Sequence, residues 1–189
     1  MDPETLTTER LVLRAVGPRD TDAVYAACQD PDIQRWTVVP SPYLPEHARD
    51  FTERMVPEGW ADETMFTFGV FLPDGELVGM SGVTIHAPGL GEIGYWSVKE
   101  HRGRGHLTEA TVAVARWVFT RGGVERLEWR AEAGNTASRA VALRAGFTME
   151  GTLRAALEQR GVRRDCWVGS LLPSDLSLPA RTPYLPSPR

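Results

Sequence analysis

Residues 92–115, EIGYWSVKEHRGRGHLTEATVAVA, constrain this chain more than any other stretch. A strand-like run enters a glycine-rich basic loop and leaves as an alanine-rich helix. Lys99, His101, Arg102, Arg104 and His106 fall within this loop, although the 189-residue chain carries a formal net charge of -4. The positive charge is therefore local. Gly103 and Gly105 free the backbone to turn its N–H groups inward and let a ligand approach closely. A helix expected to begin near Thr108 adds unpaired first-turn donors and the positive end of its dipole, a combination that favours phosphate. A solvated, merely mobile loop is the bland alternative; the apolar strand before it and the long helix after it favour an anion seat.

The composition sets few further limits. One domain is expected for 189 residues with 42% hydrophobic and 24% charged content, the profile of an ordinary globular protein. No segment approaches the roughly 20 apolar residues of a membrane span, and the N-terminus lacks a secretory apolar run, so a cytoplasmic protein with no membrane partner is expected. Cys28 and Cys166 are too few for a disulfide framework or a zinc cluster, so no metal is expected and both read as buried thiols. Mild acidity argues against a nucleic-acid partner.

Along the chain, residues 9–16 alternate as a half-buried strand, 18–28 turn helical, and a second helix should follow Pro45. Prolines at 40, 42 and 45 argue against a regular element over 33–45, where Trp36 and Tyr43 either wall a substrate site or plug the core. Residues 67–72 and 77–86, joined by Pro73-Asp74-Gly75-Glu76, predict an antiparallel hairpin. A third strand covers 92–98, and the helix after the loop should stop at Gly122-Gly123. Residues 126–131 predict another strand, 135–145 a short helix closed by Gly146, and 147–153 and 165–172 two last strands. Residues 173–189, with five prolines, are expected to form an extended tail outside a domain spanning 1–172. Strands with interspersed helices and a clear hairpin predict a mixed α+β sheet. The loop lacks the third glycine of a dinucleotide fingerprint, and neither a GxxxxGK[ST] phosphate loop nor a GxSxG elbow is present.

LTTERLVLR near the start, EIGYW with RGRGHLTEA in the middle, and NTASRAVALRAGF with MEG near the end resemble the GNAT superfamily of acetyl-CoA-dependent N-acyltransferases. Within it they look most like the branch of ribosomal-protein N-terminal acetyltransferases, of RimJ/RimL type. The resemblance spans about Leu6 to Leu172. It implies a mixed, mostly antiparallel splayed sheet of about seven strands with about four helices, holding acetyl-CoA between two parting strands, here 92–98 and 126–131. The family's pyrophosphate loop falls on Arg102, Gly103, Arg104, Gly105, His106 and Leu107, with Thr108 following. Leu107 departs from the small residue expected there. Trp96, Ser97 and Val98 match positions whose backbone meets pantetheine. Asn135 matches an asparagine on the pantetheine arm and Ser138 a serine near the thioester sulfur; as plain structure, they read as a helix N-cap and a first-turn residue. A tyrosine acid used elsewhere in the superfamily would fall at Ala142, which rules that version out.

Acetyl transfer to an amine needs a neutral nucleophile, a polarised carbonyl and a protonated leaving thiol. A lysine-like amine costs roughly 4–5 kcal/mol to deprotonate at pH 7, an α-amine only about 1 kcal/mol. Glu92 is the candidate base, because the family often places a carboxylate at the start of this strand; the alternative is an edge glutamate paired with an arginine. Glu109 reads as a structural partner of the loop. The branch's glutamate aligned with Leu157 is missing, and Glu158 lies one position off. A backbone N–H at Ser97 or Val98 is the candidate for the carbonyl oxygen, and Ser138 or water for the thiol. Arg35, Trp36, Tyr43 and Trp60 are candidates to line the acceptor pocket. The expected partners are acetyl-CoA and an amine, either a peptide N-terminus or a small molecule. A non-catalytic CoA-binding regulator or scaffold of the same fold stays open, as do monomer and homodimer.

Overall fold

A computed structural model describes residues 1–187. Eight strands form one mixed sheet in the order β1-β2-β3-β4-β5-β6-β8-β7. They are β1 (Leu6–Thr7), β2 (Val12–Arg14), β3 (Met65–Phe71), β4 (Leu77–Ala87), β5 (Leu90–Ser97), β6 (Arg126–Glu132), β7 (Thr148–Gln159) and β8 (Val162–Leu171). The helices are α1 (Thr21–Ala27), α2 (Pro31–Trp36), α3 (Pro45–Asp50), α4 (Val56–Ala61), α5 (His106–Thr120) and α6 (Thr136–Arg144). A π-helical turn over Phe51–Met55 joins α3 to α4.

Every strand pair is antiparallel except β5 with β6, which the α5 crossover makes parallel. Their ladder runs only from Leu90↔Arg126 to Ile93↔Trp129. Beyond it each strand keeps its outer neighbour: Gly94–Ser97 remain on β4, and Arg130–Glu132 remain on β8. The two strands therefore part at their C-terminal ends, as the resemblance implied. Alternation along paired strands sets the faces. Phe66, Phe68, Val83, Ile93, Leu127 and Trp129 share the buried face packed against α5. Glu92, Glu128, Arg130 and Glu132 share the opposite face.

The core centres on aromatic packing between sheet and helix. Trp60, Phe66, Phe68 and Trp117 form a cluster with ring centroids 5.0–5.3 Å apart. Such contacts add to the area these rings bury. Cys28 and Cys166 are both buried, and burial pushes the Cys28 thiol up to about 12.

Four expectations are corrected. The strand expected over 9–16 is shortened to β2, with β1 lying before it, because Thr8–Leu11 forms a tight turn between them with Thr8 N–H donating to Leu11 O at 3.0 Å. Residues 33–36 are helical: Pro31 opens α2 at a position that needs no amide donor, and Asp30 caps it. The last two strands are longer than expected and meet in a hairpin whose tip is Arg160-Gly161. The segment after Leu172 begins inside the fold, since Pro173 is buried and Leu176 and Leu178 pack against the core. Farther on, Arg181 donates to Thr120 O and Thr182 to Glu125; residues 188–189 of the expected tail lie outside the described residues. Among the described residues no helix is long and apolar enough to cross a membrane, and no group of His, Cys, Asp or Glu is placed to hold a metal.

Candidate active site

The loop between β5 and α5 sits at the mouth of the parted strands. Gly103 and Gly105 have φ of +76° and +81°, the left-handed region that glycine enters without a steric penalty. Gly105 is the N-cap of α5 and supplies no side chain to it. The first-turn amides of α5 are thus left for an anion.

The loop's basic side chains do less than their number suggests. His101 turns inward, with Nε2 3.0 Å from Glu76, and His106 is also buried. Both leave Nδ1 without a partner among the described residues. Burial, then Arg10, His101 and Arg104, holds His106 below the usual imidazole value, against a smaller opposing pull from Glu109. Arg102 is engaged by Asp30 and Asp32.

Arg10 buttresses the loop from the sheet edge. It donates to Arg104 O at 3.0 Å and to Glu109 at 2.7 Å, while Thr8 also donates to Glu109. Burial opposes the Glu109 charge, but Thr8 and Arg10 outweigh it and hold the carboxyl below its ordinary range. Glu109 is thus the loop's structural partner, and Thr108 lies beside it in a groove of about 940 Å³ along α5.

Leu107, the misfit to the family pattern, has a physical explanation. A Cβ at Gly79 of β4 would lie 2.8 Å from Leu107 Cδ2 and 2.6 Å from Trp96 O. Glycine on the facing strand makes the room that a small residue at 107 would otherwise provide. That signal was present in the sequence but only the strand pairing reveals it.

On β5, the ladder decides which amide is free. Val98 N–H donates to Val78 O at 3.0 Å, so Val98 is corrected as a carbonyl donor: its amide is held by β4. Gly79↔Ser97 is the neighbouring pair, and alternation turns the Ser97 N–H away from β4 toward the parted side. Trp96, opposite Met80, lies on the other face from α5, and the same alternation turns its backbone N–H and C=O toward β4, so Trp96 is corrected as a backbone partner for pantetheine.

Asn135 and Ser138 stand where α6 begins. Asn135 Oδ1 accepts from Ser138 N at 3.1 Å, an N-cap that leaves its Nδ2 donors available. Ser138 Oγ accepts from Trp129 Nε1 at 3.0 Å, and Tyr95 donates its hydroxyl to Ser138 O at 2.8 Å. Ser138 is thereby locked between the parting strands, with its own hydroxyl proton uncommitted.

Glu92 lies one residue before the last β5–β6 pair, on the face opposite α5. Its Oε2 is 3.1 Å from His86 Nε2 and 3.7 Å from Arg130 Nε. The arginine-paired glutamate and the candidate base are thus the same side chain, about one-third exposed.

The acceptor-pocket expectations divide. Arg35 makes a two-pronged pair with Glu132, both contacts 2.7 Å, and lies 4.2 Å over Trp36, which is 37% exposed. Arg35 holds the Glu132 carboxyl below its usual range against burial, and Arg164 assists. Glu132 stands on the splayed end of β6, so Arg35 and Trp36 of α2 are held against that end. Trp60 and Tyr43 are corrected. Trp60 is 1% exposed inside the aromatic cluster, its Nε1 bonded to Thr67 O, and Tyr43 is 5% exposed against Tyr25 and His47. Aromatic bulk near prolines serves the core at both positions. Glu132, Arg164 and the hairpin tip were not anticipated, because nothing in their local pattern tells that β7 and β8 run long enough to reach α2.

The comparisons agree with this geometry. The family model described as Acetyltransferase (GNAT) domain matches residues 10–148. The chain is 30% identical over 173 residues to the putative ribosomal N-acetyltransferase YdaF of Bacillus subtilis, spanning 87% of this chain and 92% of that protein. A putative ribosomal-protein-serine acetyltransferase from Vibrio cholerae aligns with a TM-score of 0.80 and 26% identity, over 92% of this chain and all (100%) of that one. Mycobacterium smegmatis RimJ, in complex with CoA-disulfide, aligns with a TM-score of 0.79 and 25% identity, over 94% and 92% of the two chains. With parted strands, glycine loop and matching relatives together, the chain belongs to the GNAT family of acetyltransferases.

Proposed function

We propose that this acetyltransferase moves the acetyl group of acetyl-CoA onto a primary amine, a protein N-terminal α-amine or a small-molecule amine, by direct attack in a ternary complex. The observation that carries it is the parting of β5 and β6 directly beneath the Gly103–Gly105 loop. Relatives named as ribosomal acetyltransferases favour a protein N-terminus. Acetyl-CoA supplies an acyl group as a thioester, and its thiol, near a pKa of about 8.5, is a tolerable leaving group.

The chain's residues fit this ligand. Backbone amides from Gly103 to His106 suit a pyrophosphate, with Arg102, Arg104, Leu107 and Thr108 shaping the seat. Asn135 Nδ2 and the β5 edge at Ser97, whose backbone faces the parted side, suit the pantetheine amides. Ser97 N–H is the donor for the carbonyl oxygen, where a preorganised dipole strengthens as charge develops. Ser138 Oγ–H is the donor toward the departing sulfur.

Glu92 takes the amine proton, directly or through water. An α-amine asks little of it, since holding such an amine neutral at pH 7 costs only about 1 kcal/mol. Arg35 and Trp36, on α2, face the acceptor. The test is Glu92→Gln: turnover should fall about 100-fold or more, with CoA affinity unchanged. Unchanged turnover and an unchanged pH–rate profile would sink the assignment.

A further inference from the structure

One short helix joins the cofactor loop to the far wall of the cleft. At its N-terminal end Asp30 Oδ1 caps α2 by accepting from Asp32 N at 2.8 Å, while Asp30 Oδ2 receives Arg102 Nη2. Asp32 Oδ2 receives Arg102 Nη1 at 3.0 Å. At the other end Arg35 grips Glu132 on the splayed end of β6. Just beyond, the β7–β8 tip closes over the same segment: Gln159 Nε2 donates to Thr37 O at 2.6 Å, and Arg160 donates to Gln34 O. The helix thus spans the mouth of the cleft, from the β5 side to the β6 side.

Six residues are too few for a helix to hold itself together in water. The position of α2 depends on these long-range contacts and on Ile33, its buried residue. Arg102 is the first residue of the phosphate loop, which Arg10 anchors two residues on by donating to Arg104 O at 3.0 Å. Without a ligand, α2 can lift and carry Arg102 with it, Gly103 serving as the joint ahead of the Arg10 anchor. Once an anion fixes the loop amides, lifting α2 requires breaking both Arg102–aspartate pairs. Differential contact of this kind lets one ligand shift a remote equilibrium.

We infer that Asp30 and Asp32 are positioning residues that tie the phosphate loop to α2, so that CoA seated on the loop orders the acceptor-side wall carrying Arg35 and Trp36. The inference rests on the loop being the CoA seat and goes beyond it by assigning a role to residues outside the seat.

Hydrogen exchange of the full chain, with and without CoA, tests it. In the wild type, CoA should slow exchange both at residues 103–107 and at the α2 amides of residues 34–37, the latter about 3- to 30-fold, the range expected for two partly exposed ion pairs. In Asp30→Asn/Asp32→Asn the loop should still be protected, but α2 exchange should no longer respond to CoA. Asparagine keeps the N-cap, so the helix itself is preserved. If the double variant does not fold, Asp32→Asn alone, at a side chain that is 62% exposed, should lose part of the response. Equal α2 protection in wild type and variant overturns the inference, as does a wild-type α2 that ignores CoA while the loop responds. Absence of protection at the loop itself overturns the CoA seat, and the inference with it.

Discussion

Replacing Gly105 by alanine should weaken CoA binding with little loss of fold stability, and the reason is conformational. Gly105 holds φ at +81°, where an L-residue with a Cβ is disfavoured by about 1–2 kcal/mol. Its position on an exposed loop lets the free protein relax out of that conformation, whereas an anion on the α5 amides demands it. The penalty therefore falls mainly on binding: about 5- to 30-fold in the CoA dissociation constant by calorimetry, at 1.4 kcal/mol per decade. The added Cβ would also sit 3.4 Å from Arg10 Nη2, a flexible tip that can give way. Gly103→Ala, with φ +76° and open space around the new Cβ, isolates the backbone cost and should weaken binding similarly. Gly75→Ala is the control, because it shares a positive φ of +95° but lies in the β3–β4 turn away from the seat. It should lower the melting temperature and leave CoA affinity alone. Gly105→Ala binding CoA within twofold of the wild type would refute the reasoning.

Other perturbations separate chemistry from architecture. Ser138→Ala removes the acceptor of the Trp129 indole N–H, a ring only 1% exposed, so stability should fall by about 1–3 kcal/mol in urea unfolding alongside any loss of turnover; unchanged stability would contradict the bond's importance. Trp60→Ala should cost about 3–5 kcal/mol, as expected for emptying a core site, while the order of preference among amines stays the same in any variant stable enough to assay. A changed preference would restore Trp60 to the acceptor pocket. His106, whose folded pKa is lowered, binds fewer protons folded than unfolded below about pH 6.5, so it makes stability fall as pH drops through that point and rise as pH climbs back. His106→Gln should flatten that acid-side decline in melting temperature between neutral pH and pH 5; an identical slope would show that His106 does not contribute to it.

Much of this was legible because the chain states its central motif locally. The glycine loop, the helix after it and the β3–β4 hairpin all follow from short-range pattern, and the loop's two glycines, read as freeing the backbone to turn, do so through left-handed conformations. What escaped depends on which distant residues meet. Trp60 and Tyr43 look like pocket walls until β3 and α5 enclose the one and α1 and α3 the other. The Val98 amide looks available until the β4 register assigns it to Val78 O. Leu107 looks wrong until Gly79 is placed opposite it. The basic loop looks strongly cationic until His101 turns toward Glu76 and Arg102 meets two aspartates some 70 residues earlier in the chain. Charge in a sequence is local, whereas neutralisation is tertiary. Exposed β7 misled for a different reason: its ladder is broken at Met149/Gly151 and again at Leu153/Leu157, which hides the two-residue period that marks a strand.

Turnover with a defined amine tests acetyl transfer by this protein most directly. Incubation of the full chain with acetyl-CoA and a panel of peptides bearing free α-amines, alongside small amines, should release CoA thiol in step with acetylation at an amine, located by fragment mass spectrometry. The predicted result is one acetyl group per acceptor and one thiol per acetyl, abolished or greatly reduced in Glu92→Gln. CoA binding without acetylated product from any member of the panel would contradict it and favour a non-catalytic CoA-binding protein.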